Sequence, residues 1–299
     1  MKTPELTIGL PVYNGGSTGL SEAIDSLLAQ SFTDFVLHIS DNASTDSTQK
    51  ICEEAAARDS RVVYTRQKEN IGGFRNLRFV LEQATTDYFM WAAHDDSWSE
   101  TFAEKNLMQL KNNPKATASV SKVMLHRDGV PVRHSNSTFP LEGSREENLH
   151  RFLAEPGDSS RLYAVHRTEA LKRSFPHISS FHCFDWLVVA LTLREGHYLE
   201  YPEVLMSRAM ADPGKYTKQV RNDNPSWLTR LFPALPFSSQ LIRRLGLRYL
   251  PSVGFDLIQI NVIQHSNYVR YYYPKLHGLE QRLYRRSGFR SLFKRFLTP

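Results

Sequence analysis

Short apolar segments alternate with amphipathic segments over residues 6–92, and this alternation restricts the folds open to the chain. Four segments have the length and residue types of buried strands: residues 6–10, 36–39, 61–65 and 88–92. After the first of them, Leu20, Ile24 and Leu27 recur with helical spacing, and helical patterns follow the next two strands as well. Strands and helices that alternate in this way form βαβ units. We therefore predict an α/β fold with a Rossmann-like, mostly parallel sheet flanked by helices.

A polar cluster follows each of the four strands. The clusters occupy residues 11–14, 41–46, 70–76 and 94–96. Ligands of parallel sheets bind outside the carboxyl ends of the strands, so we expect the four clusters to meet at one edge of the sheet. A simple turn would explain any single cluster, but four clusters in the same position favour a ligand site.

The last cluster contains two adjacent carboxylates, Asp95 and Asp96, directly after the apolar strand. Neighbouring aspartates at a strand end repel each other and lose hydration, and a divalent cation relieves both effects. Hard oxygen ligands suit Mg²⁺ or Mn²⁺, which take further ligands from water and from substrate phosphates. A polar turn, with one aspartate as the N-cap of the next helix, is an equally simple interpretation of these residues alone.

Several motifs of other cofactor sites are absent from the sequence. It contains neither G-x-G-x-x-G nor G-x-x-x-x-G-K-[ST], so neither a dinucleotide site nor a P-loop is indicated. No Cys and His residues have zinc-site spacing, and no nucleophile-elbow sequence is present.

The positive charge is concentrated at the carboxyl end of the chain. The net charge is +6, but residues 225–299 hold 12 Lys and Arg against two acidic residues. Their aromatic and basic residues alternate with helical spacing, which is typical of helices that contact an anionic membrane surface. Packing of this segment on the body of the protein, or on a second copy in a homodimer, is the alternative. We expect no nucleic-acid partner, because no recognised nucleic-acid module accompanies the charge.

The length of 299 residues suits a core domain with an extension. We predict a domain over residues 1–215 and a basic amphipathic helical extension over residues 216–299. The sequence shows no signal peptide and no membrane-spanning segment, and Cys52 and Cys183 lie in apolar segments, as buried thiols of a reducing compartment do. We expect a cytoplasmic protein that could attach to the inner face of the cell membrane.

Four motifs together resemble the nucleotide-sugar half of the inverting family 2 glycosyltransferases, over roughly residues 5–210. The motifs are Pro11-Val12-Tyr13-Asn14, Ser40-Asp41-Asn42-Ala43-Ser44-Thr45-Asp46, Asn70-Ile71-Gly72-Gly73 with Arg75-Asn76, and His94-Asp95-Asp96. Their order and spacing match as well as their residue types. The resemblance implies a GT-A fold that binds a nucleotide sugar together with Mg²⁺ or Mn²⁺.

The resemblance also assigns roles to individual residues. It implies a base and ribose pocket lined by Pro11, Tyr13 and Asn14, with Asp41 bonded to the base or ribose and Arg75 near the base or diphosphate. Asp95 and Asp96 stand at the family's metal-binding motif. The residues expected to bind the donor are Pro11, Tyr13, Asn14, Asp41, Asn42, Arg75, His94 and Asp95.

Asp185 is the candidate catalytic residue in the second half of the chain. It begins an apolar helical segment, so it could act as an N-cap or as a general base that deprotonates an acceptor hydroxyl. Its position resembles the family's catalytic acidic motif, which implies the role of base. The sequence departs from the family pattern at three positions: Ala93 and Phe184 replace acidic residues, and Met210 replaces a histidine that follows Arg208.

These features predict an inverting glycosyltransferase of surface polysaccharide or glycolipid synthesis, with a saccharide or lipid-linked saccharide as acceptor. We expect residues 133–160 to form a partly mobile loop over the acceptor side, with a short helix near residues 149–153. A sugar nucleotidyltransferase is one alternative, although residues 11–16 lack the basic phosphate-binding loop it needs. A non-catalytic binding protein on the same fold is the other.

Overall fold

The computed structural model describes residues 3–176, 181–210 and 226–276. Within these residues a nine-stranded mixed sheet forms the centre of the protein. Its strands are β1 Leu6–Val12, β2 Phe35–Asp41, β3 Val62–Arg66, β4 Tyr88–Trp91, β5 Ser97–Trp98, β6 Ala116–Arg127, β7 Val130–His134, β8 Val165–Arg167 and β9 His197–Ala209.

The order of the strands across the sheet is β3-β2-β1-β4-β8-β6-β9-β5, and β7 pairs with β6 outside this path. Strands β1 to β4 are parallel, as the alternation of strands and helices predicts. Strand β8 is antiparallel to both β4 and β6, so β6 and its parallel partner β9 point in the same direction as β4. The carboxyl ends of β1, β2, β3, β4, β6 and β9 therefore lie at one edge, whereas β5, β7 and β8 run the opposite way.

Helices up to residue 192 flank the sheet, as predicted, and three more described helices follow β9 in the chain. They are α1 Leu20–Leu28, α2 Thr48–Arg58, α3 Gly73–Glu82, α4 Phe102–Asn112, α5 Arg145–Ala154, α6 Thr168–Ser174, α7 Phe184–Thr192, α8 Trp227–Leu231, α9 Leu235–Leu245 and α10 Leu250–Tyr272. In α1, Leu20, Ile24 and Leu27 are buried as predicted, whereas Leu28, which we also predict on this face, is only partly buried. None of the described helices is both long and apolar enough to cross a membrane.

The core lies on both sides of the parallel strands. Every residue of β1 except Pro11 is buried, so both faces of this strand are covered, as expected for a parallel strand between helices. Trp91 at the end of β4 packs edge-on against Phe89 and donates its indole N–H to the Leu77 carbonyl at 3.0 Å. The last residue of this strand is thus fixed just before the acidic cluster.

Strand β1 continues two residues past its predicted end, through Pro11 to Val12. β1 pairs with β4 only as far as Gly9, which lies opposite Trp91. Pro11 comes two residues later, and its backbone nitrogen points toward the β4 side, where the pairing has already ended. A missing N–H at this position removes no bond from the sheet, which explains why the proline is tolerated.

The chain divides into two compact units. The first contains the described residues up to 176 and residues 185–210, and the second contains residues 181–184 and 226–276. The predicted boundary between residues 215 and 216 lies outside the described residues. The assignment of residues 181–184 to the second unit has no signal in the sequence.

Candidate functional site

Hydrogen bonds join the loops that follow β1 and β2. The backbone of Asn14 is left-handed, with a φ of 50°, and its N–H donates to Ser44 Oγ at 2.9 Å. In return, Asn14 Oδ1 accepts from the Thr45 N–H at 2.9 Å, and Asp46 Oδ2 accepts from the Gly16 N–H at 2.9 Å. These bonds hold the first two polar clusters side by side.

The third and fourth clusters lie against the first two. Asn42 Nδ2 donates to Asn70 Oδ1 at 2.9 Å, and Asn42 Oδ1 accepts from the Ile71 N–H at 2.8 Å, so the loops after β2 and β3 are joined. A Cβ atom at Gly15 would lie 3.1 Å from His94 Cδ2, which is close enough that only glycine fits here without movement. The four clusters therefore meet at the carboxyl edge of the sheet.

Asp41 is fully buried within this arrangement. Its carboxylate accepts hydrogen bonds from the Ser44 N–H at 2.8 Å, from Tyr64 Oη at 3.0 Å and from Arg66 Nη1 at 2.8 Å. Burial and the bond to Asp41 raise the pKa of Tyr64. In this conformation the carboxylate shapes the second loop from inside, and its contact with a base or ribose stays a prediction.

Other predicted donor residues have surface available to a ligand. The Tyr13 side chain is 45% exposed, and Arg75 is exposed in the first turn of α3. Pro11, Asn14 and His94 are partly buried, and Asn42 is buried under the loops. Tyr13 and Arg75 are thus the side chains best placed to meet a flat base and an anionic diphosphate.

The two adjacent aspartates have different environments. Asp95 is exposed, whereas the Asp96 side chain is only 2% exposed. Asp96 Oδ2 accepts from Arg208 Nε at 3.2 Å, and its Oδ1 accepts from the Ala209 N–H at 3.0 Å. Burial raises the pKa of Asp96 to about 6 against the opposing charge of Arg208. Of the two predicted metal ligands, Asp95 is the one whose carboxylate faces solvent.

The acidic cluster fits a cation that is shared with a substrate. Among the described residues, no three His, Cys, Asp or Glu side chains converge into a metal-binding group. Mg²⁺ and similar cations commonly bind through one or two carboxylates plus water and substrate phosphates, rather than in an all-protein cage. The exposed carboxylate of Asp95 is available to such a cation.

Arg208 connects the acidic cluster to a second polar group. Its Nη1 donates to Ser160 Oγ at 2.9 Å and to the Asp158 carbonyl at 3.1 Å, while its guanidinium lies 4.4 Å from the centre of the Tyr163 ring. Burial would lower the pKa of Arg208, but the charges of Tyr163, Asp96 and Asp158 outweigh it and raise the pKa. The guanidinium therefore remains charged at any working pH.

Several hydrogen bonds of the segment that follows β7 converge on Asp158. Asp158 Oδ1 accepts from Ser135 Oγ at 2.8 Å, Ser137 Oγ at 2.7 Å and Ser160 Oγ at 2.7 Å. Burial would raise the pKa of Asp158, but these bonds and the charge of Arg208 lower it overall. The segment is more ordered than predicted, and its helix, Arg145–Ala154, begins earlier because Ser144 forms a capping box there.

Asp185 lies in the first turn of α7 and is partly buried. Its Oδ1 accepts from the Trp186 N–H at 2.9 Å, which leaves acceptor positions of the carboxylate open. Burial raises the pKa of Tyr163 to about 12, and the charges of Asp96, Asp95 and Asp185 also raise it. Asp185 thus begins its helix with a partly buried carboxylate, and its role as base stays a prediction.

Sequence reasoning missed Asp158 and Tyr163, and it gave Arg208 no partner. The bond from Arg208 to Asp96 spans 112 positions, and the bond from Arg208 to the Asp158 carbonyl spans 50. No local pattern announces contacts at such separations. The available signal in the sequence is Arg208 itself, which matches the arginine of the family pattern.

Strained backbone accumulates around the site. Outside glycine, left-handed φ angles among the described residues occur at Asn14, Ala43, Asp128, Ser159 and Cys183. Apart from Asp128, which lies in the turn between β6 and β7, each of them is within two residues of a side chain described above. Such strain costs of order 1–3 kcal/mol per residue and is concentrated in proteins at functional sites.

The chain shares limited stretches with curated relatives. TuaG of Bacillus subtilis, named as a teichuronic acid biosynthesis glycosyltransferase, is 26% identical over 129 residues, which cover 43% of this chain and 51% of TuaG. EpsE of the same organism, named as a glycosyltransferase, is 35% identical over 94 residues, which cover 31% of this chain and 34% of EpsE. The chain thus spans about half or less of the length of these relatives.

Solved structures share the fold at low sequence identity. TarS of S. aureus, in complex with UDP-GlcNAc, has a TM-score of 0.56 at 17% identity, over 89% of this chain and 79% of that one. The mannosyltransferase PcManGT of Pyrobaculum calidifontis, in complex with GDP-Man and Mn²⁺, has a TM-score of 0.59 at 15% identity, over 98% and 84%. The resemblance seen in the motifs thus extends to the architecture of the whole sheet.

A family profile gives the assignment directly. The profile described as Glycosyl transferase family 2 matches residues 7–175, which is more than half of the chain and includes all four polar clusters. The mixed sheet with its flanking helices agrees with the GT-A architecture of the structural neighbours. From its sequence and its fold together, the chain belongs to glycosyl transferase family 2 and has the GT-A fold.

Proposed function

We propose that the protein is an inverting glycosyltransferase that moves a sugar from a nucleotide-sugar donor to the hydroxyl of a saccharide or lipid-linked saccharide. The observation that supports this proposal is the different burial of two of the predicted site carboxylates. Asp95 is exposed, as a cation ligand must be, whereas Asp185 is partly buried with acceptor positions open. Two carboxylates in different environments suit two different roles in one reaction.

The donor would bind across the four joined loops. Tyr13 offers an exposed ring on which a base can stack, and Asn14 and His94 line the adjacent wall. Arg75, in the first turn of α3, supplies positive charge for the diphosphate, near the amino end of a helix, where anions are favoured. Asp41 holds the second loop in place beneath them.

Asp95 would hold a divalent cation together with oxygens of the donor diphosphate. Bound there, such a cation neutralises the charge that develops on the leaving nucleoside diphosphate. Asp96 would support Asp95 rather than bind the cation, because its two oxygens are engaged by Arg208 and the Ala209 N–H.

Asp185 would act as the general base. It would take the proton of the acceptor hydroxyl while that oxygen attacks the anomeric carbon from the face opposite the diphosphate. The bond from the anomeric carbon to the diphosphate oxygen breaks in the same step, and the configuration is inverted. A positioned base of this kind accelerates a reaction by roughly 10²–10⁴-fold.

The acceptor class is proposed from the relatives. TuaG is named for the biosynthesis of teichuronic acid, a surface polysaccharide, and it is similar to this chain over 129 residues. We therefore assign the protein to the synthesis of a surface polysaccharide or glycolipid.

Donor binding and product analysis test the proposal. Thermal unfolding would be measured with UDP-, GDP- and dTDP-sugars, each with and without Mn²⁺. A true donor at a hundredfold excess over its Kd stabilises the fold by about 2.7 kcal/mol. The Asp95→Asn variant should lose the part of this stabilisation that depends on Mn²⁺.

The products distinguish the proposal from its alternatives. Transfer to an acceptor releases a nucleoside diphosphate and gives a product of inverted anomeric configuration, which NMR reads directly. Release of pyrophosphate from a sugar phosphate and a nucleoside triphosphate would instead indicate a nucleotidyltransferase. Donor binding without any turnover, in the presence of acceptor extracts, would indicate a binding protein.

A further inference from the structure

Exposed apolar side chains are concentrated in the second unit. Of seventeen large apolar side chains exposed among the described residues, eleven lie within residues 226–276. Several expose well over half of their surface: Trp227 at 73%, Leu247 at 76%, Phe255 at 59% and Ile258 at 65%. A patch of this kind on an otherwise well-packed protein marks an interaction surface.

Helix α10 is apolar on both of its sides. Val253, Leu257 and Ile260 are buried on the inner side. Phe255 and Ile258, on the opposite side of the helical wheel, are exposed. Large apolar side chains on the solvent side of a helix, in addition to those on its buried side, indicate that the solvent side binds a second apolar partner.

The charges around this helix have one sign. Residues 226–276 contain six Lys and Arg but only one acidic residue, Asp256, which is 2% exposed. Arg243 and Arg248 are exposed just before the helix, and Arg270 is exposed near its end. The surface thus combines apolar side chains with cations and presents no anion among the described residues of this unit.

We propose that this surface docks on an anionic lipid bilayer, with α10 lying along the interface. The docking face consists of Leu247, Leu250, Phe255 and Ile258, with Arg243 and Arg248 at its margin. Apolar side chains of such helices enter the acyl boundary while cations meet lipid phosphates. The proposed contact is peripheral, because α10 lies in the plane of the interface.

A second copy of the chain fits this face less well than a bilayer does. A symmetric pair would bring equivalent arginines of the two copies together without an acidic partner from residues 226–276, and like charges at an interface oppose association. An anionic bilayer supplies the apolar environment and the opposite charge at once. The proposal does not depend on the sugar-transfer chemistry of the first unit.

Vesicle co-sedimentation of the full chain tests the docking face. Phosphatidylcholine vesicles with and without phosphatidylglycerol would be compared for the wild type and for the Phe255→Ser, Ile258→Ser double variant. We expect binding to the anionic vesicles, and a loss of about tenfold or more in the double variant. The matched control is Val130→Ser with Val132→Ser, which removes two exposed apolar side chains of β7 and should leave binding unchanged.

The cations give a second, independent measurement. Changing Arg243 or Arg248 to Gln should weaken binding to anionic vesicles by about fivefold per residue, and added salt should weaken it further. Arg127→Gln, at an exposed position of the first unit, is the matched control and should have no effect. Circular dichroism and thermal unfolding of every variant establish that the fold is intact.

Three results would overturn the proposal. The first is wild-type protein that fails to bind anionic vesicles. The second is unchanged binding by both the Phe255→Ser, Ile258→Ser variant and a Leu247→Ser, Leu250→Ser variant. The third is a dimer in analytical ultracentrifugation that these variants convert to a monomer while vesicle binding is unaffected, because a second copy would then cover the face.

Discussion

The loops after β1, β2 and β3, where we propose that the donor binds (the donor loops), are held together differently from the polar group around Arg208, where we propose that the acceptor binds (the acceptor side). In the donor loops, many bonds join residues roughly thirty positions apart, as between Asn14 and Ser44 or between Asn42 and Asn70. On the acceptor side, one guanidinium binds Asp96, which is 112 positions away. The donor loops are thus held together by many separate hydrogen bonds, whereas the acceptor side depends on one buried charged side chain, that of Arg208.

This difference follows from topology. Successive βαβ units place the ends of neighbouring parallel strands side by side. Residues one unit apart in the sequence are therefore in contact because of the topology alone. The acceptor side combines the ends of β4 and β9 with the segment before β8, and these come from distant parts of the chain. A single charged side chain that reaches all three parts makes that side more sensitive to substitution.

The largest effect is expected at Asp185. Asp185→Asn should lower turnover by about 10²–10⁴-fold and leave donor binding near normal, because the amide cannot accept the proton. Steady-state kinetics and donor titration measure the two quantities separately. Asp128→Asn, in the exposed turn between β6 and β7, is the matched control and should change neither. Full transfer activity in Asp185→Asn would exclude this residue as the base.

Arg208→Ala should give the largest loss of stability. It leaves Asp96, with a side chain only 2% exposed, without its charged partner, and such losses amount to about 3–5 kcal/mol. Denaturant unfolding measures the change. The Arg208→Ala, Asp96→Ala double variant should lose less than the sum of the two single variants, because no unpaired charge stays buried. Strict additivity of the two changes would contradict the role of this ion pair.

Arg66→Ala should cost less, about 1.5–3 kcal/mol, although Asp41 is equally buried. Asp41 keeps its bonds from the Ser44 N–H and Tyr64, and the Arg66 side chain is 35% exposed. Denaturant unfolding measures the loss of stability in this variant and allows it to be compared with that of Arg208→Ala. Equal losses of stability in the two variants would contradict the view that the donor loops depend on more separate interactions than the acceptor side does.

The smallest effect concerns backbone strain. Ala43→Gly in the donor loops and Ser159→Gly on the acceptor side should each stabilise the fold by about 0.5–1 kcal/mol, because glycine relieves a left-handed φ. Ala56→Gly inside α2 is the matched control and should destabilise by about 1 kcal/mol. If transfer activity falls as stability rises, the strain serves the reaction rather than the fold alone.

The sequence by itself determined the donor half of the protein. The alternation of strands and helices predicted β1 to β4 and their parallel order, and the family motifs predicted the GT-A fold; both predictions are confirmed. The four polar clusters meet at one sheet edge, as expected, because the ends of adjacent parallel strands are neighbours whatever their side chains. These properties depend on local periodicity, which a sequence displays directly.

Only the tertiary structure decided how neighbouring acids differ. Asp95 and Asp96 are equivalent in the sequence, yet one is exposed and the other lies under Arg208. Likewise, nothing in the sequence indicates that Asp41 accepts hydrogen bonds from three donors or that Asp158 holds the segment after β7. Burial and pairing depend on residues brought together from 20 to more than 100 positions away, and no local pattern carries that information.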